Sequence, residues 1–362
     1  MEKRSPSWND WKWQYRHRIT NAEALGKYLR LSEDEKADIS LCLARFRMAI
    51  TPYYASLIHP DDPQDPIRMQ AVPSARELIL SDNDLADPLN EVGDSPVKHL
   101  VHRYPDRVLL LATCQCAMYC RHCTRRRIVG EEDRMITEKG LEKALLYIRA
   151  HGEIRDVLIS GGDPFTMSTE KLEYIVSALR TIPHVDIIRI GTRTPVVLPM
   201  RITDELCDML RKYQPIWINT HFNHPREITP EAEAACARIV DAGIPLGNQS
   251  VLLRGVNDDA SIMKELVLKL CHMRVRPYYL YQCDLSQGIS HFRTRVETGV
   301  DIIHALTGNI SGYAVPKFVI DAPGGGGKIP VQYDYVLHED DSEVVLENWR
   351  GKTYRYPQPK EP

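Results

Sequence analysis

No apolar run in this sequence approaches the ~20 residues of a membrane-spanning helix, so no membrane span is expected. No apolar stretch follows Met1-Glu2-Lys3-Arg4, as a signal peptide would require, which leaves the cytoplasm as the expected location. Neither sign of charge is in excess. The 46 Lys and Arg against 49 Asp and Glu leave a formal −3, which gives no basic footprint for nucleic acid. No internal repeat is found, which excludes a stacked-repeat architecture. The nine cysteines are an odd number, and Cys42, Cys207, Cys236 and Cys271 stand singly in segments of helical pattern, where a small buried hydrophobe is expected. What the sequence does contain is a group of four, Cys114, Cys116, Cys120 and Cys123. In a cytosolic chain such a group points to metal or redox chemistry before structural disulfides.

The 362 residues suffice for one large α/β barrel or two ordinary domains. Residues 1–95 read as a helical region. Ser32 with Glu35, and Ser74 with Glu77, are capping-box pairs, the first ahead of a helix reaching to about Met48. The Pro- and Asp-rich stretch 59–73 between them is expected to be a connector, not one regular element. Trp8, Trp11 and Tyr15 share a helical face suited to packing an N-terminal arm on the body or on another subunit.

From residue 96 to 332 the rhythm changes. Short β-rich runs at 107–113, 156–160, 186–192, 216–221, 245–252, 276–282 and 317–320 alternate with amphipathic stretches. Leu141, Ala144, Leu145 and Ile148 have the spacing of a helix with one buried face, and Thr229, Pro230 and Gly243 bracket another. Such alternation builds a parallel sheet with right-handed crossovers. The expected fold class is therefore α/β, a partial or full parallel (β/α) barrel with an N-terminal helical extension. Residues 333–362 form a short C-terminal tail with weak strand character at 344–346. In a barrel, functional groups gather at the C-terminal ends of the strands.

Cys116-Ala-Met-Tyr-Cys120-Arg-His-Cys123 directly follows the first of these strands. A C-x3-C-x2-C loop can hold three irons of a [4Fe–4S] cluster and leave the fourth open to a small molecule. The alternative is a closed zinc site, with Cys114 or His122 as fourth ligand. Ser160-Gly161-Gly162-Asp163 lies one strand–helix unit later and, taken alone, is only a turn. Asp321-Ala-Pro-Gly-Gly-Gly-Gly-Lys328 fails as a phosphate-binding P-loop. Ala322 stands where that motif needs glycine, and Ile329 where it needs Ser or Thr. The two readings left are a flexible glycine arm delivering a Schiff-base lysine, and a mobile loop with an exposed lysine.

The cysteine loop after strand one resembles the radical S-adenosylmethionine superfamily. Its combination with the glycine–lysine segment resembles the lysine 2,3-aminomutases, from Trp8-Asn-Asp-Trp11 to about Tyr335. The resemblance also rests on His102-Arg-Tyr-Pro-Asp-Arg107, Cys120-Arg-His-Cys-Thr-Arg-Arg-Arg127, Thr220-His-Phe-Asn-His-Pro225, Gly247-Asn-Gln-Ser250 and Tyr281-Gln-Cys-Asp-Leu-Ser286.

That resemblance implies a radical-type barrel and an isomerase acting as an intramolecular aminotransferase, with L-lysine converted to L-β-lysine. It implies three cofactors: a [4Fe–4S] cluster on Cys116, Cys120 and Cys123, S-adenosylmethionine, and pyridoxal phosphate. Gly162, Asp163, His221 and Gln249 are then expected at S-adenosylmethionine, the glycines letting backbone approach its methionine end. Arg103, Tyr104 and Arg107 are expected at pyridoxal phosphate, and Lys328 as its Schiff-base partner. Arg125 is expected to take the substrate carboxylate, and Asp284 with Asp321 the ε-ammonium. Two acids suit a cationic substrate, lysine or alternatively arginine, and would not be expected in relatives acting on glutamate. A flavodoxin or ferredoxin electron donor and a homodimer or higher homo-oligomer complete the expectation. Family members carry further cysteines that bind zinc past the barrel. No cysteine follows Cys283 here, so that zinc is not expected. Cys114 is either a spectator or an oxidation liability.

Overall fold

The computed structural model describes residues 6–129 and 135–359; the Met1–Arg4 segment weighed as a leader lies outside them. Nine strands form one sheet in sequence order: β1 (Leu100–Tyr104), β2 (Arg107–Thr113), β3 (Asp156–Gly161), β4 (Ile187–Gly191), β5 (Ile216–Thr220), β6 (Leu246–Leu252), β7 (Arg276–Gln282), β8 (Lys317–Ala322) and β9 (Gly327–Pro330). Strands β2 to β8 pair in parallel, each with the next. At the two ends, β1 and β9 turn back antiparallel on β2 and β8. The barrel is therefore partial: among the described residues no ladder joins β1 to β9.

Five crossover helices start on a side chain that satisfies orphan amides of the first turn. Thr137, Ser168, Thr203, Thr229 and Asp259 do this for the helices Glu138–Ala150, Thr169–Arg180, Asp204–Arg211, Pro230–Asp241 and Ala260–His272. Gly243, at φ 77°, ends the fourth of these in a conformation glycine adopts without cost. The strands alternate accordingly. In β3, Val157 and Ile159 are buried beneath helices, while Leu158 and Ser160 face inward on a cavity.

The N-terminal region belongs to the same apolar core, which runs from Trp8 and Leu25 through Tyr54 to the barrel residues Ile159 and Phe318. Both capping boxes are present, but the first helix stops at Leu43, short of Met48, and the second box opens only a 3-10 turn, Ala75–Leu78. The connector contains a short helix, Pro66–Ala71, because Asp65 caps it and Pro66 fits the first turn. Trp8 is buried and Trp11 and Tyr15 are packed against the core, so the aromatic arm lies on its own barrel.

Three elements differ from expectation. β1 was not anticipated, being five residues at an edge. The glycine arm is no flexible loop but a hairpin, with Asp321 opposite Lys328 and Ala322 opposite Gly327. Its glycines serve the turn: Gly324, Gly325 and Gly327 all have positive φ. The tail is a three-stranded antiparallel sheet, β10 (Val336–Glu339), β11 (Glu343–Glu347) and β12 (Thr353–Pro357), with the weak strand at its centre.

Candidate active site

The inward faces and C-terminal ends of the strands enclose a cavity of about 560 Å3. Cys116, Cys120 and Cys123 line it, as do Arg103, Tyr104, Arg107, Arg125, Gly162, Asp163, His221, Gln249, Asp284, Asp321 and Lys328. The fold thus gathers every residue that the resemblance assigns to cluster, cofactor or substrate, although they run from Arg103 to Lys328, while Cys114 is not in the lining.

At one end lies the cysteine loop. It is tied down by the N-terminal region: the amide of Tyr119 donates to Ala49 O at 3.0 Å and that of Arg121 to Gln70 O at 2.9 Å. The Arg121 side chain is fully buried and pairs with Glu77, Nε at 2.8 Å, and Arg126 reaches the same carboxylate. Cys116, Cys120 and Cys123 are all free thiols. Burial pushes Cys116 well above the ordinary thiol range and Cys123 up to about 11; a metal ion bound to them would favour the thiolates. Among the described residues, no three or more His, Cys, Asp and Glu side chains converge on one ion position. A cubic cluster offers its irons at separate corners and makes no such demand.

Next to the loop, Gly161 and Gly162 at the end of β3 line the cavity and also allow a close backbone approach. A Cβ on Gly161 would lie 2.3 Å from Thr113 O, and one on Gly162 2.2 Å from Gln115 O. They let two backbones meet, and Asp163 N donates to Gln115 O at 2.7 Å. The Asp163 carboxylate accepts from the Thr192 hydroxyl at 2.6 Å and the Arg193 amide at 2.8 Å, locking β3 to β4. Facing the same space are buried atoms without a hydrogen-bond partner: His221 Nε2, His122 Nδ1 and Thr220 Oγ1. Buried polar atoms are nearly always paired, so these three suit a polar ligand. Burial takes His221 down to about 3, and its ring is neutral.

At the other end lies the open seam between β1 and β9. Tyr104 bridges it, its hydroxyl accepting from the Lys328 amide at 2.9 Å. Lys328 Nζ lies 2.8 and 3.1 Å from the two oxygens of Asp321, and 5.0 Å above the Tyr281 ring. Asp284 is pushed up to about 7 by burial and then by Asp321, while Lys328 and Arg125 pull it back. Arg103 is oriented by Asp94, at 2.7 Å, and Arg107 by Asp106, at 2.8 Å. Arg125 is held by Glu91, Nη2 to Oε1 at 2.7 Å. Burial works to raise Glu91, but Arg125 and Arg127 outweigh it and keep the carboxylate charged.

Several cavity residues were not anticipated. Arg189, Tyr279 and Tyr281 are inward-facing positions of β4 and β7 that strand alternation could have nominated, whereas Tyr278 lines the cavity where the β6–β7 register shifts. Arg193 follows the end of β4, where the rule of strand ends points. Glu91 lies in an irregular segment and gave no signal.

A family model described as the radical SAM superfamily matches residues 110–266, and one described as lysine-2,3-aminomutase matches residues 303–362. The chain is 58% identical to an L-lysine 2,3-aminomutase of Clostridium subterminale, over 97% of this chain and 85% of that protein. It is also 58% identical to one of Fusobacterium nucleatum subsp. nucleatum, over 98% and 83%. A glutamate 2,3-aminomutase of Clostridioides difficile is 46% identical over 96% and 82%.

Proposed function

The chain belongs to the lysine 2,3-aminomutase family of radical SAM proteins, and from that premise we propose that it is an isomerase converting L-lysine to L-β-lysine by moving the amino group from C2 to C3. The observation that carries the choice of lysine is the seam: two carboxylates, Asp284 and Asp321, in one cavity with Arg125. Asp284, raised to about 7, is a carboxyl short of positive charge. An ε-ammonium beside it would supply that charge, while the Arg125 guanidinium suits an α-carboxylate. A glutamate side chain would bring a third carboxylate to the same place.

Cys116, Cys120 and Cys123 would hold the [4Fe–4S] cluster, and Gly162, Asp163, His221 and Gln249 would face S-adenosylmethionine. Arg103 and Arg107 would hold the phosphate of pyridoxal phosphate, Tyr104 between them would touch the cofactor, and Lys328 would take its carbonyl carbon. When bound, the cluster with S-adenosylmethionine supplies a carbon radical that takes and returns hydrogen, and pyridoxal phosphate supplies the carbon that carries the migrating nitrogen. The chain's own part is positional. Arg125 and the two acids fix both ends of an extended substrate, so that C2 and C3 are held in one place. The neutral His221 presents a ring that neither attracts nor repels a charged cofactor. The partial barrel encloses the chemistry and limits the access of water.

A low-potential carrier, flavodoxin or ferredoxin, is the proposed electron donor. A cytoplasmic setting is supported by nine cysteines that are all free, and among the described residues no helix is long and apolar enough to cross a membrane. Exposed Val336, Leu337, Tyr354 and Tyr356 on the terminal sheet support a homodimer or higher homo-oligomer.

The test is anaerobic turnover by reconstituted protein with S-adenosylmethionine, pyridoxal phosphate and dithionite. Lysine, arginine and glutamate are run in parallel, and β-amino acids are resolved by chromatography. Accumulation of β-lysine above the other products is expected. A β-amino acid from arginine or glutamate in its place would reassign the two acids.

A further inference from the structure

At the cysteine loop, one guanidinium of the cavity lining touches a cysteine sulfur. Arg193 Nη1 lies 2.8 Å from Cys120 Sγ. The rest of this side chain is committed to protein. Nε donates to His221 O at 3.1 Å, and Nη2 donates to Gln70 Oε1 at 2.6 Å and to Glu227 Oε1 at 2.8 Å. Four of its five N–H groups are thereby used, and the whole side chain is buried. Glu227, itself fully buried, is anchored in turn by the Tyr54 hydroxyl at 2.7 Å and by the amides of Asn223 and His224 at 2.6 and 2.9 Å. The guanidinium is thus fixed, permanently charged, and aimed at one ligand of the proposed cluster.

A hydrogen bond and a positive charge at a cluster sulfur both stabilise the reduced form, which carries one more negative charge. We propose that Arg193 is a positioning residue that raises the reduction potential of the cluster through Cys120, with Glu227 limiting how far. This rests on the cluster assignment above. On reduction, one electron from dithionite enters the cluster and takes its core from 2+ to 1+; no bond forms or breaks.

The experiment is a redox titration of the reconstituted protein, followed by electron paramagnetic resonance, with iron and sulfide contents measured alongside. Wild type is compared with Arg193→Gln and Glu227→Gln. Arg193→Gln is expected to make reduction about tenfold less favourable, a fall of ~59 mV for one electron. Glu227→Gln unmasks the guanidinium and is expected to move the midpoint the other way by a smaller amount. Opposite signs distinguish a charge effect from loosened packing, which would lower cluster content in both variants without reversing the shift. Should Arg193→Gln assemble no cluster, Glu227→Gln alone decides: a higher midpoint supports the proposal, and an unchanged or lower one overturns it. Variants that load iron and titrate like wild type overturn the role of Arg193 only. A wild type without a cubic-cluster signal overturns the cluster assignment itself.

Discussion

The two ends of the cavity handle charge in opposite ways. Around the cysteine loop, buried carboxylates are tied to buried arginines: Glu77 with Arg121 and Arg126, Glu227 with Arg193. At the seam, Arg107 is well exposed, Lys328 is a third exposed, and Asp284 is left short of positive charge. A group that must hold still can be paid for with buried ion pairs, since breaking such a pair costs far more than it gained in forming. A group that must take up and release a cation cannot be sealed in this way. The seam is where the barrel fails to close, and it is also where the proposed exchange of partners takes place.

The largest effect expected is at the fixed end. Cys120→Ala should abolish cluster assembly, read as loss of iron, sulfide and the visible absorption of the cluster. Normal iron content would dissolve the contrast at once. Glu77→Gln comes next. It leaves Arg121 and Arg126 buried without their carboxylate, with an expected cost of ~3–5 kcal/mol in denaturant unfolding and reduced iron retention. A change below ~1 kcal/mol would mean that the loop does not depend on this pair.

At the exchanging end the effects should be on substrate before stability. Asp284 must be ionised to attract an ammonium, so the apparent KM for lysine should rise as pH falls through about 7, by up to tenfold per unit, with pyridoxal phosphate still bound. Asp284→Asn should raise KM at every pH and flatten that dependence. Its folded-state value lies above the ordinary one, so the substrate-free protein loses stability as pH rises from ~4 toward 7. Asp284→Asn should therefore melt higher than wild type at pH 8. A lower melting point would show that the carboxylate has a fixed partner after all. The smallest effect belongs to the bridge across the seam. Tyr104→Phe removes the acceptor of the Lys328 amide and should cost ~0.5–1.5 kcal/mol, with a modest loss of pyridoxal phosphate affinity by absorbance titration.

Much of the fixed end was legible in sequence. The cysteine spacing is local, and the strands at 107–113 and 276–282 have the bounds read from sequence, since each is a short β-rich run with polar residues at its ends. The capping boxes were legible too, because each is a contact between residues three apart. The seam was less so. β1 and β9 are short edge strands, and β9 carries Gly327 and Pro330, residues that argue against a strand when read locally. The glycine pair at 161 and 162 was legible as a place of close backbone approach, but that Thr113 and Gln115 lie against it is set by the fold.

The sequence by itself determined the family, the α/β class, and which residue types converge on the chemistry, because motifs and periodicity are properties of neighbouring residues. Only the tertiary structure decided how those residues are partnered: that Glu91 holds Arg125, that Asp321 holds Lys328, and that Arg193 reaches Cys120 across 73 positions of chain. Pairings of this kind arise between strand ends brought together by barrel curvature, and a carboxylate's partner depends on distance and burial, which composition and spacing do not encode.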